Sequence, residues 1–171
     1  MMTRRTVMTG IAALSVSALA LRLQGGAWAA EETFEITKTP EEWRKVLTPA
    51  QFYILREEGT ERPFSSALNN EKRAGVFHCA ACDLPLYSSE TKYESGTGWP
   101  SFWKPLDNAI GTREDRSYLF YVRTEVHCRR CGGHLGHVFD DGPAPTGLRY
   151  CMNGDAMTFL PTEKTDGKGP A

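Results

Sequence analysis

The sequence predicts a mainly β domain of antiparallel sheet, with short N-terminal helices and a structural zinc site. Three observations predict it. Two proline-headed capping boxes stand in tandem, short aromatic and β-branched segments alternate with Gly, Pro, Asp and Asn, and two Cys-x-x-Cys pairs occur. The chain has 171 residues, 40 % of them hydrophobic and 24 % charged. That length suits one modest domain with a real core, and the composition excludes a disordered or fibrous chain.

Residues 1–30 read as a targeting segment rather than as part of the fold. Thr3-Arg4-Arg5-Thr6-Val7-Met8 precedes an apolar run from Gly10 to about Leu21, and Ala27-Trp28-Ala29 followed by Ala30 supplies a small-x-small cleavage pattern. The paired arginines indicate a twin-arginine signal peptide, hence a periplasmic destination with membrane contact only during export. The apolar run falls short of the roughly 20 residues that a membrane span needs. Without this segment, which carries Arg4, Arg5 and Arg22 and no acid, 17 basic residues face 21 acidic ones, a net charge of −4. Such a surface does not favour nucleic acid. Residues 31–38 are expected to be a flexible lead-in, the domain to occupy 39–160, and 161–171 to form a disordered tail.

Thr39-Pro40-Glu41-Glu42 has the grammar of a helix start: an N-cap, proline at the first helical position and a capping-box acid. Thr48-Pro49-Ala50-Gln51 repeats it, and Gly59 is expected to close the second helix. Trp43, Val46, Leu47, Phe52, Tyr53 and Leu55 are the positions expected to pack on the main body. Beyond Arg73 the expected strands are Gly75–His78, Tyr118–Val126, His134–Phe139, Leu148–Asn153 and Met157–Leu160, arranged antiparallel and joined by long loops.

The pairs Cys79-x-x-Cys82 and Cys128-x-x-Cys131 have the spacing of two knuckles that close a tetrahedral thiolate site around zinc. They also sit in matching frames. His78-Cys79 leads to Leu86 and His127-Cys128 leads to Leu135, as though one turn were used twice around one shared ion. Two disulfides are the competing reading, which a periplasmic location permits. The twin-arginine route weighs against it, because that route carries proteins folded in the cytoplasm, where thiols stay reduced. A redox-active Cys-x-x-Cys is weaker, since no βαβ pattern surrounds either pair. A four-thiolate site is closed, so the zinc would be structural.

Five cysteines minus four ligands leave Cys151. A spare thiol in an exported protein is a buried inert residue, an intermolecular cross-link or a nucleophile. If Arg149-Tyr150-Cys151-Met152-Asn153 is a strand, its period of two places Arg149, Cys151 and Asn153 on one face. A guanidinium there favours the thiolate, and Asn153 adds a donor. Arg149 as a solvated charge and Asn153 as a turn residue is the bland alternative, open from this strand alone. His134 and His137 lie within one short element after the second knuckle, so a Cys/His acid-base arrangement is credible. They could instead serve as metal ligands, but four thiolates are already available.

Several further motifs carry a resemblance. Glu61-Arg62-Pro63-Phe64-Ser65-Ser66, Ser95-Gly96-Thr97-Gly98-Trp99-Pro100-Ser101-Phe102, His134-Leu135-Gly136-His137-Val138-Phe139, Asp141-Gly142-Pro143 and Arg149-Tyr150-Cys151-x-Asn153 occur in this order. From about Thr39 to Leu160 the chain resembles the methionine sulfoxide reductase B family. The resemblance implies two antiparallel sheets with N-terminal helices, and one structural zinc held by Cys79, Cys82, Cys128 and Cys131. It further implies that Cys151 attacks the sulfoxide sulfur and becomes a sulfenic acid as methionine leaves. By the same resemblance His134, His137 and Asn153 bind and protonate the oxygen, Arg149 and Asp141 support the site, and Trp99 receives the substrate methyl group. Preference for the R epimer in protein-bound methionine sulfoxide, and regeneration by a thioredoxin-like or other thiol donor, come from the resemblance alone. The protein is expected to act as a monomer.

Two positions depart from the family pattern. Thr97 stands where the family often has a resolving cysteine, which makes this a one-cysteine type, and Gly154 stands where serine is usual, a change expected to soften the turn after the catalytic strand. The rival class is a non-catalytic zinc-ribbon module with an inert Cys151, which resistance of that thiol to alkylation would favour. A periplasmic thiol-disulfide oxidoreductase would need a reducible cysteine pair beyond the zinc ligands, and none remains.

Overall fold

The structure, a computed structural model, describes residues 32–117 and 121–162; the expected signal peptide and residues 163–171 of the expected tail lie outside the described residues. Helix α1 spans Pro40–Val46 and α2 spans Pro49–Glu57. Both capping boxes form. The Thr39 and Thr48 hydroxyls accept from the Glu42 and Gln51 amides at 3.2 Å, and those side chains accept from the threonine amides in return. Each threonine cap is worth about 1 kcal/mol. The left-handed residue after α2 is Glu58, with φ 55°, rather than Gly59. At Gly59 it is space rather than backbone that favours glycine: a Cβ there would lie 2.3 Å from the ring of the exposed Tyr53. Trp43 and Leu47, four apart, and Phe52 and Leu55, three apart, form the buried helical face together with Ile54; Val46 and Tyr53 fall off that face and are exposed, contrary to expectation.

Among the described residues nine strands follow: β1 Gly75–Cys79, β2 Pro85–Ser88, β3 Lys92–Tyr93, β4 Ser101–Phe102, β5 Ile110–Asp115, β6 Arg123–Cys128, β7 His134–Phe139, β8 Arg149–Met152 and β9 Met157–Pro161. They make two antiparallel sheets, ordered β2-β1-β9 and β3-β4-β8-β7-β6-β5. Four of these strands (β2, β3, β4 and β5) have no counterpart among the expected ones. The strand expected over Tyr118–Val126 begins at Arg123 and runs to Cys128; Tyr118, Leu119 and Phe120 lie outside the described residues. Two termini are more ordered than expected. In the supposed lead-in, the Ile36 amide donates to the Arg130 carbonyl at 3.1 Å and Phe34 packs edge-on against His127. In the supposed tail, Pro161 pairs with Gly75, and the Thr162 amide bonds the Ala74 carbonyl.

An aromatic cluster joins the sheets. Tyr87 of β2 stacks on Phe102 of β4 at 4.3 Å between ring centroids, and Phe77 of β1 meets Phe102 at 5.0 Å and Phe159 of β9 at 4.9 Å. Phe77, Tyr87 and Phe102 are fully buried. Such aromatic pairs add about 0.5–1.5 kcal/mol each beyond the area they bury.

The cysteine knuckles tie the same two sheets at another place. Cys79 ends β1 and Cys128 ends β6, and each opens the same turn. The Asp83 and Gly132 amides donate back to the Cys79 and Cys128 carbonyls, while the Cys79 and Cys128 amides donate forward to Leu84 and Gly133. Asp83 and Gly132, each just after the second cysteine, both take left-handed backbone, at φ 58° and 66°. One turn is thus used twice, and Leu86 and Leu135, equivalent in the two frames, are both fully buried.

Candidate active site

The six-stranded sheet places one residue per strand in a continuous row. Tyr93 of β3 stands opposite Ser101 of β4, Ser101 opposite Cys151 of β8, Cys151 opposite His137 of β7, His137 opposite Glu125 of β6, and Glu125 opposite Arg113 of β5. Directly paired residues on neighbouring strands share a sheet face, so this register alone gathers the polar groups. Cys151 and His137 line one open cleft of about 120 Å³ with Trp99, Phe139, Asn153 and Arg123.

Hydroxyls surround the thiol. The Thr97 Oγ1 lies 3.8 Å from the Cys151 Sγ, and the Ser95 hydroxyl lies 2.9 Å from Thr97 and 2.7 Å from Ser101. Burial pushes the Cys151 thiol above its ordinary range, while the Thr97 hydroxyl, the Arg149 charge and the Ser101 hydroxyl pull it down without prevailing. The expectation that Arg149 favours the thiolate is therefore outweighed, and the resting group is the thiol. Arg149 itself is held by Asp141 in a bidentate pair at 2.8 Å and lies over the Phe139 ring. Asp141 is exposed and does not reach the cleft; it acts on the site only through Arg149.

The two histidines occupy different situations. His137 lines the cleft, and its Nε2 lies 2.8 Å from the Asp115 carboxylate of β5. Burial keeps the His137 imidazole below its ordinary range despite Asp115, so it is neutral at neutral pH. His134 is buried behind the cleft, with Nδ1 2.7 Å from Glu125 and Nε2 buried without a hydrogen-bond partner. Its ring meets that of His137 edge-on at 5.3 Å. Burial would raise the Glu125 carboxyl, but His134 and Arg113 hold it below the usual range and keep it ionised.

Asn153 follows β8 and caps a short 3₁₀ turn, Gly154–Ala156, rather than continuing the strand. Its Oδ1 accepts from the Glu61 amide at 3.0 Å and its Nδ2 donates to the Leu135 carbonyl at 3.1 Å. Glu61, quoted from the sequence only within a motif, organises this end of the cleft. Its carboxylate accepts from the Gly154 amide at 2.8 Å and the Asp155 amide at 2.9 Å, and its carbonyl accepts from the Trp99 indole at 3.2 Å. Asp115, Arg123 and Glu125 were likewise missed. Their signal was cross-strand pairing, which cannot be seen until β5 and β6 are in register. At Gly154 a Cβ would lie 1.9 Å from the Ser66 Oγ, so Ser66 fills the space that a side chain at 154 would take.

The second cysteine group is a candidate metal centre. The four Sγ atoms of Cys79, Cys82, Cys128 and Cys131 lie within 4.8 Å of one another, with Cys82–Cys128 at 3.5 Å and Cys79–Cys131 at 3.8 Å. Zn–S bonds near 2.3 Å in a tetrahedron require S···S edges of about 3.8 Å, so the donor set fits a tetrathiolate ion. Arg56 supports it from α2, donating to the Cys131 Sγ at 3.2 Å and to the Cys131 carbonyl at 2.8 Å, with its guanidinium over the Trp43 ring.

Comparison with known proteins agrees with this geometry. The SelR domain model matches residues 47–161. A peptide methionine sulfoxide reductase MsrB of Methanosarcina barkeri is 55 % identical over 130 residues, covering 75 % of this chain and 91 % of that protein. One of Pseudomonas putida is 54 % identical over 130 residues, covering 75 % and 97 %, and one of Agrobacterium fabrum 52 % over 127 residues, covering 74 % and 94 %. With the SelR match spanning most of the domain and half of the aligned residues identical, this chain belongs to the MsrB family of peptide methionine sulfoxide reductases.

Proposed function

We propose that the protein reduces the R epimer of methionine sulfoxide in oxidised exported proteins, with Cys151 as nucleophile. The observation that carries this reading is the register opposition of Cys151 and His137 within a cleft walled by Trp99, in a chain of this family. A neutral imidazole beside a neutral thiol can take the thiol proton as the sulfur attacks and return it to the departing oxygen. Atoms balance without an outside acid: the sulfoxide oxygen passes to Cys151, which becomes a sulfenic acid, and the substrate sulfur is reduced by two electrons to the thioether. Asn153 has two Nδ2 hydrogens, of which Leu135 engages one, leaving the other for the oxygen. His134 acts from behind His137. Arg149 and Asp141 hold the Phe139 wall, and Trp99 receives the methyl group.

Cys79, Cys82, Cys128 and Cys131 would hold a zinc ion that supplies a structural cross-link between the sheets. With these thiols engaged and Thr97 beside Cys151, the sulfenic acid is resolved by an external thiol. That thiol expels water to form a mixed disulfide, and a second donor thiol releases Cys151. A thioredoxin-like donor fits that role. We place the protein in the periplasm as a monomer, delivered by the twin-arginine route on the strength of Arg4 and Arg5.

The test is single-turnover reduction of each epimer in a short acetylated peptide, followed by dimedone trapping and mass spectrometry. Consumption of the R epimer and a dimedone adduct on Cys151 are expected, both abolished in Cys151→Ser with the fold intact. Turnover by Cys151→Ser, or a disulfide from Cys151 to a knuckle cysteine, overturns the mechanism.

A further inference from the structure

We infer that Asp115, clamped by Arg123, is the positioning residue that fixes the His137 ring with its proton on Nε2 and leaves Nδ1 as the ring's proton-accepting atom. The inference rests on the proposed reading of Cys151 and His137 and goes beyond it, because neither Asp115 nor Arg123 belongs to any motif near the thiol. Both come from the β5–β6 pair at the far side of the sheet. Their register is direct: Asp115 stands opposite Arg123, two residues along from the opposed pair Arg113 and Glu125. Period two puts all four on the face that carries His137 and Cys151.

The geometry dictates the tautomer. An ionised carboxylate only accepts, so the imidazole nitrogen 2.8 Å from Asp115 must carry the hydrogen. Asp115 is held ionised by several donors. Burial would raise its carboxyl, but the Ser117 amide at 2.9 Å, His137, and two contacts from Arg123 at 3.0 and 2.5 Å bring it well below the ordinary carboxylate range. A neutral ring with hydrogen on Nε2 has a bare Nδ1. When Nδ1 takes the thiol proton, the imidazolium forms against a fixed anion, and Arg123 keeps that anion in place.

The other charged groups around His137 are committed elsewhere. Glu125 stands opposite it on β6 but bonds Arg113 and His134; His134 touches it through a ring edge; Arg149 stands opposite Phe139, with its guanidinium over that ring, and is paired with Asp141; Cys151 is the reacting partner on β8. Asp115 is thus the carboxylate in hydrogen-bond contact with this ring among the described residues.

Two measurements on the full mature chain test the assignment. In protein labelled with ¹⁵N-histidine, the His137 resonances should report hydrogen on Nε2 at neutral pH; hydrogen on Nδ1 overturns the inference. Asp115→Asn keeps an acceptor oxygen but loses the charge. It should retain the tautomer, slow single-turnover reduction by roughly 10²-fold with little change in KM, and move the acidic limb of the pH–rate profile to lower pH. Asp115→Glu should recover part of the rate. A residue that only braces β5 would lower the melting temperature and leave the acidic limb where it was, and that result also overturns the inference. If Asp115→Asn does not fold, the wild-type tautomer and the limb of Asp115→Glu decide. Wild-type protein that reduces neither epimer removes the parent reading instead, and the tautomer still tests the positioning of the ring.

Discussion

Glu61 offers the sharpest separation of charge, hydrogen bonding and burial in the site. Its two carboxylate oxygens serve two amides in different surroundings: the bond to Gly154 is buried, whereas the bond to Asp155 is only partly buried and belongs to an exposed residue. Glu61→Ala strips both. The Gly154 amide then loses a charge-assisted bond worth about 1.5–3 kcal/mol and has no water to replace it, while the Asp155 amide turns to solvent at a cost of about 0.5–1 kcal/mol. The total is about 3 kcal/mol. Glu61→Gln retains one oxygen, which will face the buried amide and leave the amide nitrogen against the amide that solvent can reach, so about 1 kcal/mol is lost. Urea unfolding read at constant m-value measures both differences. Asn153 and Trp99 bond the Glu61 backbone, so both variants retain those contacts. Equal destabilisation by the two substitutions, or less than about 0.5 kcal/mol for Glu61→Ala, would refute the argument that the buried amide dominates.

Other outcomes follow from the same geometry. Gly154→Ser should destabilise the domain through its clash with Ser66, and Ser66→Gly should restore stability in the double variant; additivity of the two changes in a double-mutant cycle would count against a shared space. Thr97→Cys puts a thiol where Oγ1 now lies 3.8 Å from the Cys151 Sγ, so one turnover should yield an internal disulfide in place of the dimedone adduct. Because burial raises the Cys151 thiol, its alkylation in the free protein should be slow at neutral pH and accelerate as pH climbs through the ordinary thiol range and beyond; a plateau already reached at pH 7 contradicts this. Removing bound metal with a chelator should unfold the domain, since tetrathiolate zinc contributes about 10–16 kcal/mol against a net stability of about 5–15 kcal/mol. Metal analysis of the purified protein should find one zinc per chain.

What could be read from the sequence and what could not divide along a physical line. Local grammar was legible: the capping boxes at Thr39 and Thr48 need only residues three apart, and the twin knuckles need only the spacing around Cys79 and Cys128. Both form as the spacing predicts, down to matching left-handed residues at Asp83 and Gly132. The odd thiol and the His134/His137 pair were legible by counting and proximity, and the tetrahedral cysteine cluster follows once the two knuckles meet.

Short strands were less legible, because two residues such as Lys92–Tyr93 or Ser101–Phe102 are too few to show a period. They become strands only through partners, and with them came the row from Tyr93 to Arg113. Tertiary structure alone decided which carboxylate stands behind each histidine, since Asp115 and His137 are joined only by the register of β5, β6 and β7. It also decided the protonation of Cys151. The sequence puts a guanidinium two residues away, a short-range effect that favours the thiolate. Burial is a sum over distant segments, and in that sum desolvation outweighs the Arg149 charge and the Thr97 and Ser101 hydroxyls together. Gly154 shows the same division: its permissiveness is a property of the residue, but the group that occupies the space of a side chain there is Ser66, brought against it from 88 positions earlier in the chain.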